Sequence, residues 1–191
     1  MKVRKFSYLI CLFVFCLPFA CKDKQASLEI PKTPLQIDTV VLTNSLPPSL
    51  QLKKFSLQYN DLIKNDGLMK MKTLNATEIS NWKILEIDAF YDTQYNYHFI
   101  DSIGTSDSFF LALIARAYEN ENIIWLCTYD KQGKMIHAEE VFYDNAEGNY
   151  LLESELKNNI LTLQSDDINE GKKSEIYQFN SKLIPEKTES N

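Results

Sequence analysis

The chain has 191 residues, with 26 acidic and 20 basic side chains and a net charge of −6. No basic stripe offsets that acidity, so a partner carrying a phosphate backbone is excluded and no nucleic-acid role is expected. The length allows one domain with its own core.

Residues 1 to 20 begin with Lys2, Arg4 and Lys5, continue as an apolar run from Phe6 to Phe19, and end on the small residue Ala20 before Cys21. Basic start, apolar centre and small residue are the three parts of a secretory signal peptide. The run is short for a spanning helix, which needs roughly 20 apolar residues. Removing these residues takes away three cations and no acids, so the net charge goes from −6 to −9.

Ala20-Cys21 resembles the end of a bacterial lipoprotein signal, in which the cysteine is acylated and becomes the first residue of the mature chain. Pro18 and Phe19 depart from the small or aliphatic residues usual there. The resemblance implies lipidation at Cys21, attachment to a membrane through that lipid, and a place in the bacterial cell envelope, on the periplasmic or the surface-facing side. Cys11 and Cys16 follow bulky residues and fit less well. Lys22-Asp23-Lys24 resembles the surface-export signals of Bacteroidetes lipoproteins. After processing, only Cys21 and Cys127 of the four cysteines remain. Cys127 sits in the apolar run Ile123-Ile124-Trp125-Leu126-Cys127 and reads as a buried small hydrophobe.

Residues 21 to 36 mix charges, small polar residues, Pro31 and Pro34, and read as a flexible tether. Residues 37 to 184 are expected to form a single β-rich domain, and 185 to 191 a disordered tail. Phe55-Leu57-Tyr59 and Met69-Met71 flank the turn Lys64-Asn65-Asp66-Gly67, so a hairpin is expected there. Asn75 stands three residues before Glu78 in a capping-box pattern, which predicts a short helix from Ala76 to Asn81.

From Trp82 onward, short runs rich in β-branched and aromatic residues alternate with turns. Eight strands are predicted: 83–91, 95–103, 108–118, 122–129, 135–143, 150–156, 160–165 and 174–183. The short connections join antiparallel neighbours, giving a mainly β, up-and-down meander that is either a closed barrel or a curved open sheet. "FFLALIARAY", Phe109 to Tyr118, contains good helix formers, yet its length, its flanking turns and an available partner in Ile123 to Tyr129 favour a strand.

"SNWKI" resembles the tryptophan motif that opens lipocalin barrels, with Ser80 where that motif has glycine. "WLCTYDKQGKMI" and "IYQFNSKLI" resemble the strand and turn rhythm of secreted lipoproteins of the Bacteroidetes group, a likeness that implies an address and no particular activity.

His98, His137 and Cys127 are the only nitrogen or sulfur ligand candidates in the mature domain, too few for a zinc site, so no metal is assigned. No nucleophile elbow, phosphate loop or dinucleotide fingerprint occurs, so no cofactor and no catalytic residue is assigned. Glu86, Asp88 and Asp92 along one predicted strand face read as solvated charges. The richest composition is Phe90 to Phe99. Alternation places Tyr95, Tyr97 and Phe99 on one face and His98 on the other, so the aromatics read as an inner face whose Tyr hydroxyls reach the rim, or as the lining of a cleft or interface. Tyr91, Tyr95, Tyr97 and His98 are therefore the candidates for a ligand site or interface.

Three functions remain open on these residues. The first is a noncatalytic binding or structural domain with a protein or small-ligand partner. The second is an inhibitor or immunity-type protein capping a basic toxin or lysozyme through charge complementarity. The third is a carbohydrate hydrolase using paired carboxylates.

Overall fold

A computed structural model describes residues 50–118, 121–145 and 147–188. The signal segment, Cys21 and the tether lie outside the described residues. Among the described residues, nine strands form one antiparallel up-and-down sheet: β1 Phe55–Leu57, β2 Asn96–Thr105, β3 Phe109–Tyr118, β4 Glu121–Asp130, β5 Met135–Asn145, β6 Tyr150–Lys157, β7 Ile160–Asp167, β8 Gly171–Phe179 and β9 Pro185–Lys187. Strands β2 to β9 are neighbours in chain order, and β1 pairs with β6.

Local chemistry sets the turns. Between β4 and β5, Asp130 Oδ1 accepts the amides of Gln132 and Lys134, both at 2.9 Å. Gly133 there has φ +76°, a conformation that costs a residue with a side chain. Between β6 and β7, Asn158 and Asn159 have φ +54° and +62°, the left-handed pair that a two-residue hairpin matching sheet twist requires.

β3 and β4 are buried on both faces, which explains why "FFLALIARAY" shows no polar alternation. On one face, Leu111, Leu113, Ile124, Leu126 and Phe142 pack against Leu156, Leu161, Phe179 and Leu183. On the other, Ile114, Ile123, Trp125 and Cys127 pack beneath Leu74, Ile84 and Tyr97. Each such fully buried aliphatic side chain stabilises the fold by about 1.5–3 kcal/mol relative to exposure.

Two layers arise because the sheet folds between β5 and β6. Only Tyr143↔Leu152 and Asp144↔Leu151 pair there. Farther along, β1 takes the free side of β6, with Phe55 opposite Leu156. The β6–β9 half then covers one face of β3–β5, and Thr128 Oγ1 donates to the Leu183 carbonyl at 2.8 Å across the layers. The chain before β1 spans the remaining side: Lys53 N–H donates to Ile103 O at 2.7 Å. That single bond is not a ladder, and the sheet stays open and curved.

α1, Ala76–Asn81, forms as expected. Asn75 Oδ1 accepts the Glu78 amide at 3.0 Å, and Glu78 Oε2 accepts the Asn75 amide at 2.8 Å.

Three local expectations are corrected. Residues 83–91 are not a strand: Lys83 turns left-handed at φ +56°, and Ile84–Ile87 forms a helical turn, α2. Tyr129 Oη donates to Trp82 O at 2.7 Å and Ile84 is fully buried, so this segment lies across the sheet and not within it. The hairpin around Asn65 does not form either. Phe55–Leu57 pairs with distant β6, while Asn60–Lys64 makes a π-helical turn and Leu68–Lys70 a 3₁₀ turn whose Leu62 and Leu68 are buried. Finally, the strand expected over 174–183 runs as β8 from Gly171 to Phe179. The chain then turns at Asn180, whose Oδ1 accepts the amides of Lys182 and Ile184, and returns as β9 through residues placed in the expected tail.

Candidate functional site

The four residues singled out in the sequence separate by depth. Tyr95, Tyr97 and Phe99 do share a face, packed in the cluster under the helical segment. Tyr97 is only 1% exposed, and its hydroxyl donates to Asp88 Oδ2 at 2.7 Å. Burial, then that carboxylate, push the Tyr97 phenol far above its ordinary pKa. Tyr91, 36% exposed, stacks on Tyr97 with centroids 5.7 Å apart. Tyr95 is half-buried, with the Arg116 guanidinium 4.7 Å from its ring centre.

His98 lies on the opposite face, bridged to Thr73 and 2% exposed. Neither ring nitrogen has a well-formed hydrogen bond among the described residues. Burial holds its pKa below the ordinary value, offset in part by the Lys72 and Met71 backbone.

Arg116 is the residue the sequence reading passed over. A guanidinium inside a strand buried on both faces needs a counterion, because an unpaired buried charge is far costlier than a paired one. Its Nη1 lies 3.1 and 2.9 Å from the two Asp88 oxygens, and Nη2 bonds to Glu121. Tyr143 Oη donates to Glu121 Oε1 at 2.8 Å. Burial and that acceptor raise the Tyr143 pKa to about 12. The network ties the turn after α2 to β2, β3, β4 and β5. The Arg116 Nη atoms are paired, while its buried Nε has no hydrogen-bond partner among the described residues, and the network positions its surroundings.

One such surrounding is a groove of about 390 Å³ at the end of the sheet where β2 starts, β3 ends and β4 starts. Its apolar wall comes from Leu62, Ile63, Leu68 and Met69 of the two helical turns, with Ala117 of β3. Its polar lining comes from Asp66, Gln94, Asn96, Tyr118 and Asn122. Tyr118 Oη donates to Gln94 Oε1 at 3.4 Å, and the Tyr118 ring stands edge-on to Tyr95 at 5.0 Å. Asn122 supports the Asp144 carboxylate opposite it on β5, whose pKa burial nonetheless raises. Asn96 is exposed. None of Tyr91, Tyr95, Tyr97 and His98 lines this groove; from the same stretch only Gln94 and Asn96 do. Its volume lies within the range of ordinary ligand sites.

A second concavity, about 260 Å³, opens where β5 and β6 part. The β4–β5 ladder slips past Val141, a bulge that re-aims its neighbours, and Glu139, Glu140, Glu175, Tyr150 and Tyr177 line the cleft. Burial, then Glu139, raise the pKa of half-buried Glu140. Lys187, 2.5 Å from Glu175 Oε1, and Tyr177, donating at 2.7 Å to Oε2, lower that of Glu175.

Other groups have structural surroundings. Cys127 is fully buried, and burial pushes its thiol up to about 12. Asp88 is buried against Arg116, and Glu86 and Asp92 are exposed on separate turns, so the three share no strand face. No three His, Cys, Asp or Glu residues come together as a metal set among the described residues. No family model, curated protein or solved structure matches the chain.

Proposed function

We propose that this protein is a lipid-anchored, noncatalytic binding protein of the bacterial cell envelope, and that its ligand site is the groove lined by Gln94, Asn96, Tyr118 and Asn122. The observation that carries the reading is the groove's composition: apolar side chains together with the neutral hydrogen-bonding groups of Gln94, Asn96, Tyr118 and Asn122, with Asp66 the one charged group in the lining. Such a pairing fixes a ligand's orientation through a few polar contacts while the wall supplies burial. Ala20-Cys21 supports the anchor. Fragment mapping by NMR on the mature chain carrying Cys21→Ser tests the site. Hits are expected to cluster on the amides around Asn96 and Tyr118, and a screen whose hits avoid that groove overturns the assignment. Metabolic labelling with a fatty-acid analogue tests the address, with loss of label expected in Cys21→Ala.

A second reading is favoured by the cleft at the β5–β6 break. Glu140 is held toward its protonated form and Glu175 toward its ionised form, the division of labour that glycoside hydrolysis asks of two carboxylates. Release of reducing sugar from envelope polysaccharides, abolished by both Glu140→Gln and Glu175→Gln, would replace the noncatalytic reading with this one.

A further inference from the structure

We propose that the groove at the end of β2–β4 is selective for a neutral saccharide unit; this rests on the groove being the ligand site. The argument begins with charge. The lining has one carboxylate, Asp66, and no lysine or arginine. An anionic ligand would therefore meet no counterion in the groove. It would also approach a chain whose net charge is −6, so phosphates, uronates and acidic peptides are disfavoured before contact.

The polar groups then choose among neutral ligands. A carboxamide presents a donor and an acceptor side by side, which matches a pair of neighbouring hydroxyls, each of which can give and take a hydrogen bond. Gln94, Asn96 and Asn122 supply three carboxamides from the loop before β2 and from the starts of β2 and β4, and Tyr118 adds a hydroxyl. Asn96 is exposed, so its carboxamide can bond a ligand; Asn122 stands opposite Asp144 in the β4–β5 ladder.

The apolar part of the lining takes the other side of the ligand. A sugar ring has C–H faces as well as hydroxyl edges, and exposed Met69 and half-buried Ile63 offer it apolar surface. An extended peptide would gain most by adding to a strand edge. On β2, however, the edge beside the groove is already occupied: Leu74 N–H donates to Tyr97 O at 2.7 Å, and Thr73 bridges His98. That leaves a compact, neutral, hydroxyl-rich ligand as the better fit.

The test is an NMR titration of the mature Cys21→Ser chain with maltotriose, chitotriose, a galacturonic acid trimer and a neutral acetylated tetrapeptide. A neutral trisaccharide is expected to shift amides of the groove, with affinity weakened about tenfold or more by Asn96→Ala. That variant alters an exposed side chain, and unchanged spectra elsewhere would verify its fold. Preference for the uronate or the tetrapeptide, or equal saccharide affinity in Asn96→Ala, overturns the saccharide assignment and leaves the groove as a site for another ligand. If neither these four probes nor the fragment screen occupies the groove, both readings fail.

Discussion

Arg116 and Asp88 form an ion pair with both side chains 2% exposed, Nη1 lying 3.1 and 2.9 Å from the two carboxylate oxygens. They stand 28 residues apart, one in the middle of the sheet and one in the turn after α2. The pair is the polar bolt that fastens the helical segment to the sheet. With the Tyr97 hydroxyl and the Phe90 amide donating to the same carboxylate, the Asp88 oxygens accept from three protein groups.

Removing only the cation leaves Asp88 buried without its partner. Arg116→Met is therefore expected to lower unfolding free energy by roughly 3–5 kcal/mol, whereas Arg116→Met combined with Asp88→Leu should recover a large part of that loss. Urea unfolding of the two single variants and the double variant checks this. Additive losses in the cycle would show that the two side chains are not energetically coupled.

His98 makes the fold acid-sensitive in a defined direction. Its folded pKa is held down by burial, while in the unfolded chain it titrates near its ordinary value of about 6.5. Between those two values the unfolded chain binds a proton that the folded chain does not, so stability falls as pH drops below about 6.5 and its contribution is constant above. Glu140 and Asp144, whose pKa values are raised, act in the opposite sense in any variant that keeps them. The difference between wild type and His98→Leu therefore isolates the imidazole. Wild type is expected to lose stability relative to the variant on acidification, and parallel pH curves would refute it.

The meander was legible because each of its strands from β2 to β8 carries its own turn chemistry, as in Asp130 to Gly133 and Asn158-Asn159. Even the helix-prone residues of β3 were readable as a strand, since β4 offered an adjacent partner. What escaped was set by distant contacts. Nothing near Phe55 says that it will sit opposite Leu156, and nothing near Ile84 says that Asp88 will be drawn to Arg116. The groove escaped for the same reason, since its lining comes from separate segments between Leu62 and Asn122. One local signal was present: an arginine in an otherwise apolar run demands a buried partner, even if the sequence does not say which.

Cys127 gives a direct probe of core opening. Burial raises its thiol to about 12, against a smaller opposing effect from Tyr129, so at mildly alkaline pH it is both protonated and covered. In the mature chain carrying Cys21→Ser, a thiol reagent is expected to label Cys127 completely in denaturing guanidinium and only at the rate of global unfolding in native buffer. Rapid native labelling would contradict the packing of Cys127 beneath the helical segment. Cys127→Ala, which trims a small buried side chain, should cost about 1 kcal/mol.

Asn159 separates turn geometry from side-chain bonding at a single position. Its φ of +62° suits the β6–β7 turn, and its side chain also clamps the chain entering β1: Oδ1 accepts the Leu52 amide at 2.8 Å, and Nδ2 donates to Leu50 O at 2.9 Å. Asn159→Gly keeps the left-handed turn without strain and removes only the clamp, at about 1–2 kcal/mol for two modest hydrogen bonds. Asn159→Ala loses the clamp and also the local polar side chain that lets asparagine tolerate the left-handed region, so it should cost roughly another 1 kcal/mol beyond Asn159→Gly. Hydrogen exchange resolves the two effects. In Asn159→Gly the amides of Leu52 and Lys53 should exchange faster while those of β6 and β7 keep their protection, because Lys53 N–H is the bond to Ile103 that spans the open side of the sheet. Unchanged exchange at Leu52 would mean that Leu52 itself, buried against Gly104, where even an added Cβ would meet its Cδ2 at 2.5 Å, holds the segment without help from Asn159.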